Sequence, residues 1–349
     1  MRQHSTHFRV LLQLAVGFST LWTTTVSAGE LEDRLLKSAL QRTDVQGVEI
    51  ALAKGANARE PIETGSGSLR SPIGTIRLAL GGLADRDDPQ AAQKVERIVR
   101  LLLSKGAKLT GHEYELYFPI SYDHPRVLSL LLANGANPHD RILGYLPSEL
   151  ALWYGNEGLL PILRAWGAPV VPSEVRQQIR FVRAASQQDK SAMKSALAAG
   201  ADVNTADPAG RYAIVRVFSM PLLEPDGYES VKFLLFDAKA DVSVGELGQK
   251  ATTALHKAVE MNSFRTIDQF TAAGILALLL NGGAKVSEVD YLGRTALHYA
   301  AQAGNLHAVE VLLAGGAKVS PKDKLGSRPF DLAKSGRVIE TLRQHGARE

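Results

Sequence analysis

Nine histidines and no cysteine in a chain of 349 residues bound the chemistry at the outset. Without cysteine there is no disulfide, no thiolate-ligated zinc and no thiol nucleophile. His4 and His7 lie in the N-terminal leader described below. His112-Glu113 lacks the second histidine, one helical turn away, with which a zinc-protease helix grips its metal. His124, His139, His307 and His345 have no partner at ligand spacing. No Gly-x-Ser-x-Gly elbow raises a serine, no Gly-Lys-Ser/Thr loop cradles a phosphate, and no dinucleotide glycine fingerprint follows a strand. These residues predict no catalytic site, no metal and no cofactor. The expected protein is not an enzyme.

What remains is the chemistry of recognition. Lys285, Arg294, Lys318, Lys322, Lys324 and Arg328 outnumber Glu288, Asp290 and Asp323 in one stretch. Tyr291 and Leu292 stand among them, and an aromatic beside an aliphatic at a turn can anchor an interface. Asp207 and Arg211 flank a similar turn around Gly210. The candidate protein-contact residues are therefore Asp207, Arg211, Lys285, Asp290, Tyr291, Leu292, Arg294, Lys318, Lys322 and Lys324. A plain solvated face is the alternative for such a charge run. Net charge gives little further direction. The formal value is +4, and setting aside Arg2 and Arg9 of the leader leaves +2, too little to demand nucleic acid or an anionic membrane as partner.

The elements that position these residues follow from internal repetition. Gly283-Ala284-Lys285-Val286-Ser287 recurs as Gly316-Ala317-Lys318-Val319-Ser320, an offset of 33. Gly293-Arg294-Thr295-Ala296-Leu297-His298 begins ten residues after the first copy, and Gly326-Ser327-Arg328-Pro329-Phe330-Asp331 ten after the second. Gly200-Ala201-Asp202-Val203-Asn204 likewise precedes Gly210-Arg211 by ten. Each part of the unit has a mechanical reason. Thr295 can cap a helix whose inner face carries Leu297, Ala300 and Ala301. Gly304-Asn305 signals a turn, after which Leu306, Val309, Leu312 and Leu313 form the stripe of a second helix. Gly316 then sits at the helix end, where left-handed backbone angles favour glycine.

This unit resembles the ankyrin repeat, with its D-x-x-G-x-T-P-L-H-x-A-A-x-x-G-N core and its L-L-L-x-x-G-A-D-V-N close. Asp290 to Ser320 follows it almost throughout, with Ala296 where proline is usual. Thr253-Ala254-Leu255-His256 opens the unit before, and Gly200 to Asn204 closes an earlier one. Weaker copies run back through Pro147–Ala168, Leu130–Asn137, Leu101–Ala107 and Ala51–Asn57, making about nine units. The resemblance implies an all-α solenoid of helix–turn–helix units joined by turn or hairpin fingers, with binding to another protein as its function. It assigns Gly200, Gly210, His256, Gly283, Gly293, Thr295, His298, Gly304, Gly316 and Gly326 to the scaffold. It also implies that the imidazoles of His256 and His298 bond backbone groups between repeats. Three departures stand out. Lys239 replaces the helix-ending glycine, at a cost of roughly 1 kcal/mol if its backbone stays left-handed. His256 and His298 are 42 residues apart, implying an insertion near Ser263 to Thr271. Arg59 to Pro72, with Gly65-Ser66-Gly67-Ser68, reads as a loop or a broken finger.

Residues 1–28 read as a secretory signal peptide. Arg2, His4, His7 and Arg9 give a basic start, Val10 to Trp22 an apolar middle, and Val26-Ser27-Ala28 a small-residue cleavage site. Thr20 and Thr23 to Thr25 interrupt the run of about 18 apolar residues that an uncleaved anchor requires. The expected organisation is a signal peptide over 1–28, degenerate repeats over 29–138 and regular repeats with a C-terminal cap over 139–349. The mature chain is expected to be periplasmic or secreted, free of membrane insertion and nucleic acid, and a monomer when free. Its expected role is to inhibit or neutralise an exported enzyme or toxin. The alternatives are a secreted effector that engages host proteins, or an accessory to a periplasmic stress-response enzyme.

Overall fold

The computed structural model describes residues 28–59, 62–64, 71–84, 90–109, 115–219, 226–245, 252–262 and 269–347. The leader up to residue 27, His112-Glu113 and residues 263–268 of the expected insertion lie outside the described residues. The chain divides into two compact units, residues 1–82 with 88–108, and residues 83–87 with 109–349. The division precedes the sequence-based boundary at 138 because the helices Tyr117–Ser121 and Pro125–Ala133 pack with each other and the former onto Pro147–Tyr154.

In the first unit α1 (Ala28–Gln41) pairs with α2 (Val45–Ala53), and α3 (Thr75–Leu80) pairs with α4 (Ala91–Ser104). α1 also packs on α3 and α2 on α4, so the two pairs lie side by side. The Asp44 side chain caps α2 by accepting from the Gly47 N–H at 3.0 Å. Between the pairs, β1 (Ile62–Thr64) and β2 (Ser71–Ile73) form an antiparallel ladder with Ile62 opposite Ile73. The segment predicted as a loop or a broken finger is thus a hairpin finger, and it adds a small sheet to an otherwise helical architecture.

The second unit repeats the same arrangement. Its helices are α5 (Tyr117–Ser121), α6 (Pro125–Ala133), α7 (Pro147–Tyr154), α8 (Leu160–Ala165), α9 (Ser173–Ser186), α10 (Lys190–Ala198) and α11 (Ala213–Arg216). They continue with α12 (Asp226–Lys232), α13 (Ala254–Asn262), α14 (Gln269–Asn281), α15 (Ala296–Ala303), α16 (Leu306–Ala314), α17 (Pro329–Leu332) and α18 (Gly336–Gln344). The odd-numbered helices pack on one another in sequence from α5 to α17, and the even-numbered ones do so from α10 to α18. Each repeat therefore touches its neighbours, which makes stability a sum of local terms. The alanines predicted for close approach are in place, since Ala300 and Ala301 are fully buried with Leu297, Val309 and Leu312.

Most described helices end on a left-handed glycine, but Thr43, Asp123, Gln188 and Lys239 take that conformation without one, and Lys239 is the informative case. Gly283 has φ +97°, and the Ala284 N–H closes the helix onto the Leu279 carbonyl five residues back at 2.9 Å. At the corresponding place Lys239 holds φ +63°, and the Ala240 N–H reaches the Leu234 carbonyl six residues back at 2.8 Å. One extra residue has entered this helix. It is absorbed by a π-helical turn over Phe233–Asp237, whose widened ring leaves the Phe236 side chain exposed. Lys239→Gly should therefore raise stability by about 0.5–1 kcal/mol, relief of the left-handed Cβ clash offset by a more flexible unfolded chain. Urea unfolding of the two proteins measures it.

Candidate protein-binding surface

Three fingers are built on one turn. Asp290 accepts on Oδ1 from the N–H groups of Leu292 and Arg294, both at 2.9 Å. Its own N–H donates to the Arg294 carbonyl, and the Gly293 N–H donates to the Asp290 carbonyl. Asp323 repeats this with Leu325 and Ser327, and Asp207 with Ala209 and Arg211. The second carboxylate oxygen is held differently each time. Tyr299 O–H donates to Asp290, Tyr145 O–H to Asp207, and Arg294 Nε to Asp323 at 3.0 Å. Burial raises the pKa of Asp207 above the ordinary carboxylate value, against the opposing pull of Tyr145 and the backbone donors. For Asp323 burial pushes the same way, but Arg294 and the Ser327 and Leu325 N–H groups win and hold it low.

Successive fingers touch through backbone. The Lys324 N–H donates to the Leu292 carbonyl at 2.8 Å. A Cβ on Gly293 would stand 3.2 Å from that same nitrogen, so glycine serves both its φ of +75° and this approach.

The two histidines tie repeats together, as expected. His298 Nδ1 accepts from the Thr295 N–H at 3.0 Å, leaving Nε2–H to donate to the Ser327 carbonyl of the next finger at 3.2 Å. His256 pairs with Thr253 Oγ1 and spans to the Arg294 carbonyl at 3.0 Å. Both are buried, and burial lowers their affinity for a proton below the ordinary imidazole value despite the carbonyl partners. The unfolded chain therefore takes up protons first. Stability from these neutral rings is complete above the unfolded value near pH 6.5 and falls as pH drops below it. Thermal midpoints should be level from pH 8 to 7 and decline below about 6.5. In His256→Gln with His298→Gln, that decline should flatten.

These bonds redistribute the charges counted in the sequence. Asp207 and Asp290, candidates for protein contact, are buried and spend their carboxylates inside their own turns, so they shape fingers instead of presenting charge. Arg294, another candidate, keeps only 15% of its side chain exposed beside Asp323. Arg328 pairs with Asp331 at 2.8 Å. Leu292 is half-buried. Lys285, Lys318, Lys322 and Lys324 remain exposed, with Glu288 3.9 Å from Lys285. Tyr291 is 40% exposed, as a contact residue requires. Leu325, 78% exposed at the next tip, and Val289 were missed because an isolated aliphatic in a turn carries no sequence signal. The face is more basic and more apolar than its composition.

Arg211 is placed otherwise. Its guanidinium lies 4.9 Å from the Tyr145 ring centre and 4.8 Å from that of Trp153. Sequence reasoning did not foresee this stack. The signal available was density, since Tyr117, Phe118, Tyr122, Tyr145, Trp153 and Tyr154 all fall within residues 117–154 of a chain only 6% aromatic. Among the described residues no three His, Asp or Glu side chains are arranged to hold a metal ion, and no helix is long and apolar enough to cross a membrane.

The family described as ankyrin repeats (3 copies) matches residues 223–323 and 269–348. Over residues 223–348, about a third of the chain, the sequence is similar to ankyrin repeats. No curated protein matches the chain. The ankyrin match covers the fingers carrying Lys285, Tyr291, Lys322 and Leu325, and the helix pairs packed N-terminal to it continue the same architecture. Ankyrin repeats are scaffolds for binding other proteins, and Tyr291, Leu325 and the lysines of these finger tips are exposed.

Proposed function

We propose that the chain is a non-enzymatic periplasmic protein that binds and occludes an exported enzyme or toxin. The observation that carries the binding half is the exposed set Tyr291, Leu325, Lys285, Lys318, Lys322 and Lys324 on fingers whose acids are turned inward. Exposed aromatic and aliphatic tips supply the desolvated centre of an interface, and the lysines supply its polar rim. Export is supported by the basic start, apolar middle and small-residue site of residues 1–28. A bare solenoid sent out of the cytoplasm has use for a target already there, and occlusion of that target needs no chemistry of its own.

The test is capture from a periplasmic extract on the immobilised chain, followed by assay of the captured protein. The expected result is an enzyme or toxin whose activity falls as the chain is added in equimolar amount. A captured protein whose activity rises would overturn occlusion in favour of an accessory role. Recovery of the chain only from culture medium or from host cells would overturn periplasmic residence.

A further inference from the structure

Arg211 and Arg294 occupy the same repeat position, each directly after the glycine of its finger. Their guanidinium groups meet different fates. Arg294 donates Nε to Asp323 of the following finger and Nη1 to Gln302 at 3.3 Å. The finger that follows Arg211 bridges Gly245 to Thr253, and its residues 246–251, Glu246 included, lie outside the described residues. Arg211 makes no side-chain hydrogen bond or ion pair with any described residue. Asp207 lies within electrostatic reach, yet its oxygens are taken by Tyr145 O–H and the N–H groups of Ala209 and Arg211.

The half-buried Arg211 is nonetheless held. Its guanidinium carbon lies 4.9 Å and 4.8 Å from the ring centres of Tyr145 and Trp153, which stack on each other with centres 5.6 Å apart, and Tyr145 is fully buried. Arg216 adds a second cation 5.9 Å from the Trp153 ring. Beside Trp153, the half-buried Tyr154 shares a 2.9 Å hydroxyl contact with Tyr117. A guanidinium fixed on aromatic faces keeps its N–H edge available and has lost its rotamer freedom in advance, which is the preparation that bidentate capture of a carboxylate requires.

We propose that Arg211, with Trp153 and Tyr154 beside it, is an anchor for a carboxylate on a partner protein, an Asp or Glu side chain or a free C-terminus next to an apolar residue. This rests on the reading of the chain as a protein binder, but the site lies outside the basic finger tips of residues 285–325. The carboxylate is favoured over phosphate because a single planar guanidinium matches its two oxygens, and the aromatic flank suits an adjoining apolar side chain.

The test uses a random-peptide display library selected on the immobilised full chain, with the enriched peptides remeasured as synthetic peptides. Peptides bearing a carboxylate beside an apolar residue should be enriched. Their affinity should fall roughly ten- to a hundredfold on Arg211→Gln, the effect of losing a charge-assisted hydrogen-bond pair. Arg211→Lys should lose most of that too, because an ammonium keeps the charge without the fork; Arg100→Gln should change nothing. If Arg211→Gln lowers the thermal midpoint, the lysine variant decides. Unchanged affinity on both variants, or no enrichment of carboxylate-bearing peptides, would overturn the site. Inorganic phosphate that binds Arg211 as tightly as the peptides would overturn the carboxylate assignment. Peptides weakened only by Tyr291→Ala with Lys322→Glu would overturn this site and leave the finger reading standing. Loss only at Arg211 would do the reverse.

Discussion

Asp290→Ala should destabilise the C-terminal repeats by about 3 kcal/mol, the cost of leaving buried donors without a charged acceptor. Three donors converge on that carboxylate: the Leu292 and Arg294 N–H groups and the Tyr299 hydroxyl. All three would lose their charged acceptor. Asp290→Asn should cost less, since its amide oxygen still accepts from both N–H groups. Because repeats interact only with neighbours, the loss should concentrate in the adjoining helices α13, α15 and α17. Hydrogen exchange resolved by segment would show this as faster exchange there than in α9, whereas uniform acceleration of both would contradict local coupling.

His298→Ala should cost about 2–3 kcal/mol for a related reason. It strands the Thr295 N–H at the start of α15 and the Ser327 carbonyl in the next finger, and it empties a site that is fully buried. The effect should exceed that of His307→Ala by far, because His307 pairs with Glu310 on the surface at 3.2 Å. Denaturant unfolding of the two variants side by side measures the difference. Equal, small losses would mean that the imidazole is not the tie between repeats.

These two residues mark what the sequence made legible and what it did not. His298 was read correctly through its place after Thr295-Ala296-Leu297, because a repeated motif carries its own bonding scheme. Lys239 was equally readable as a left-handed residue in a glycine position. The π-helical turn beside it was not, since one inserted residue in Phe233–Asp237 looks like an ordinary apolar run until its hydrogen bonds are traced. Asp207 and Asp290 looked like surface charge because composition does not say which way a carboxylate points. In a turn with two free N–H groups it points inward, and only the geometry reveals that the fingers are basic. Arg211 meets Tyr145 and Trp153 only after the chain has completed two further helix pairs, so no local spacing announces the stack. Repetition thus exposed the scaffold, while the residues that distinguish one repeat from the next needed the fold.

The central claim is that the finger tips bind a protein through exposed Tyr291 and the lysines around it. The most direct measurement is the amount of partner recovered from a periplasmic extract on the immobilised chain, compared between the wild type and Tyr291→Ala with Lys322→Glu. Both substitutions lie at exposed positions, so the fold should stand. One or a few proteins should be lost by roughly tenfold or more, as for an interface that loses an aromatic anchor and reverses a rim charge. Recovery of the same proteins in unchanged amount would contradict it.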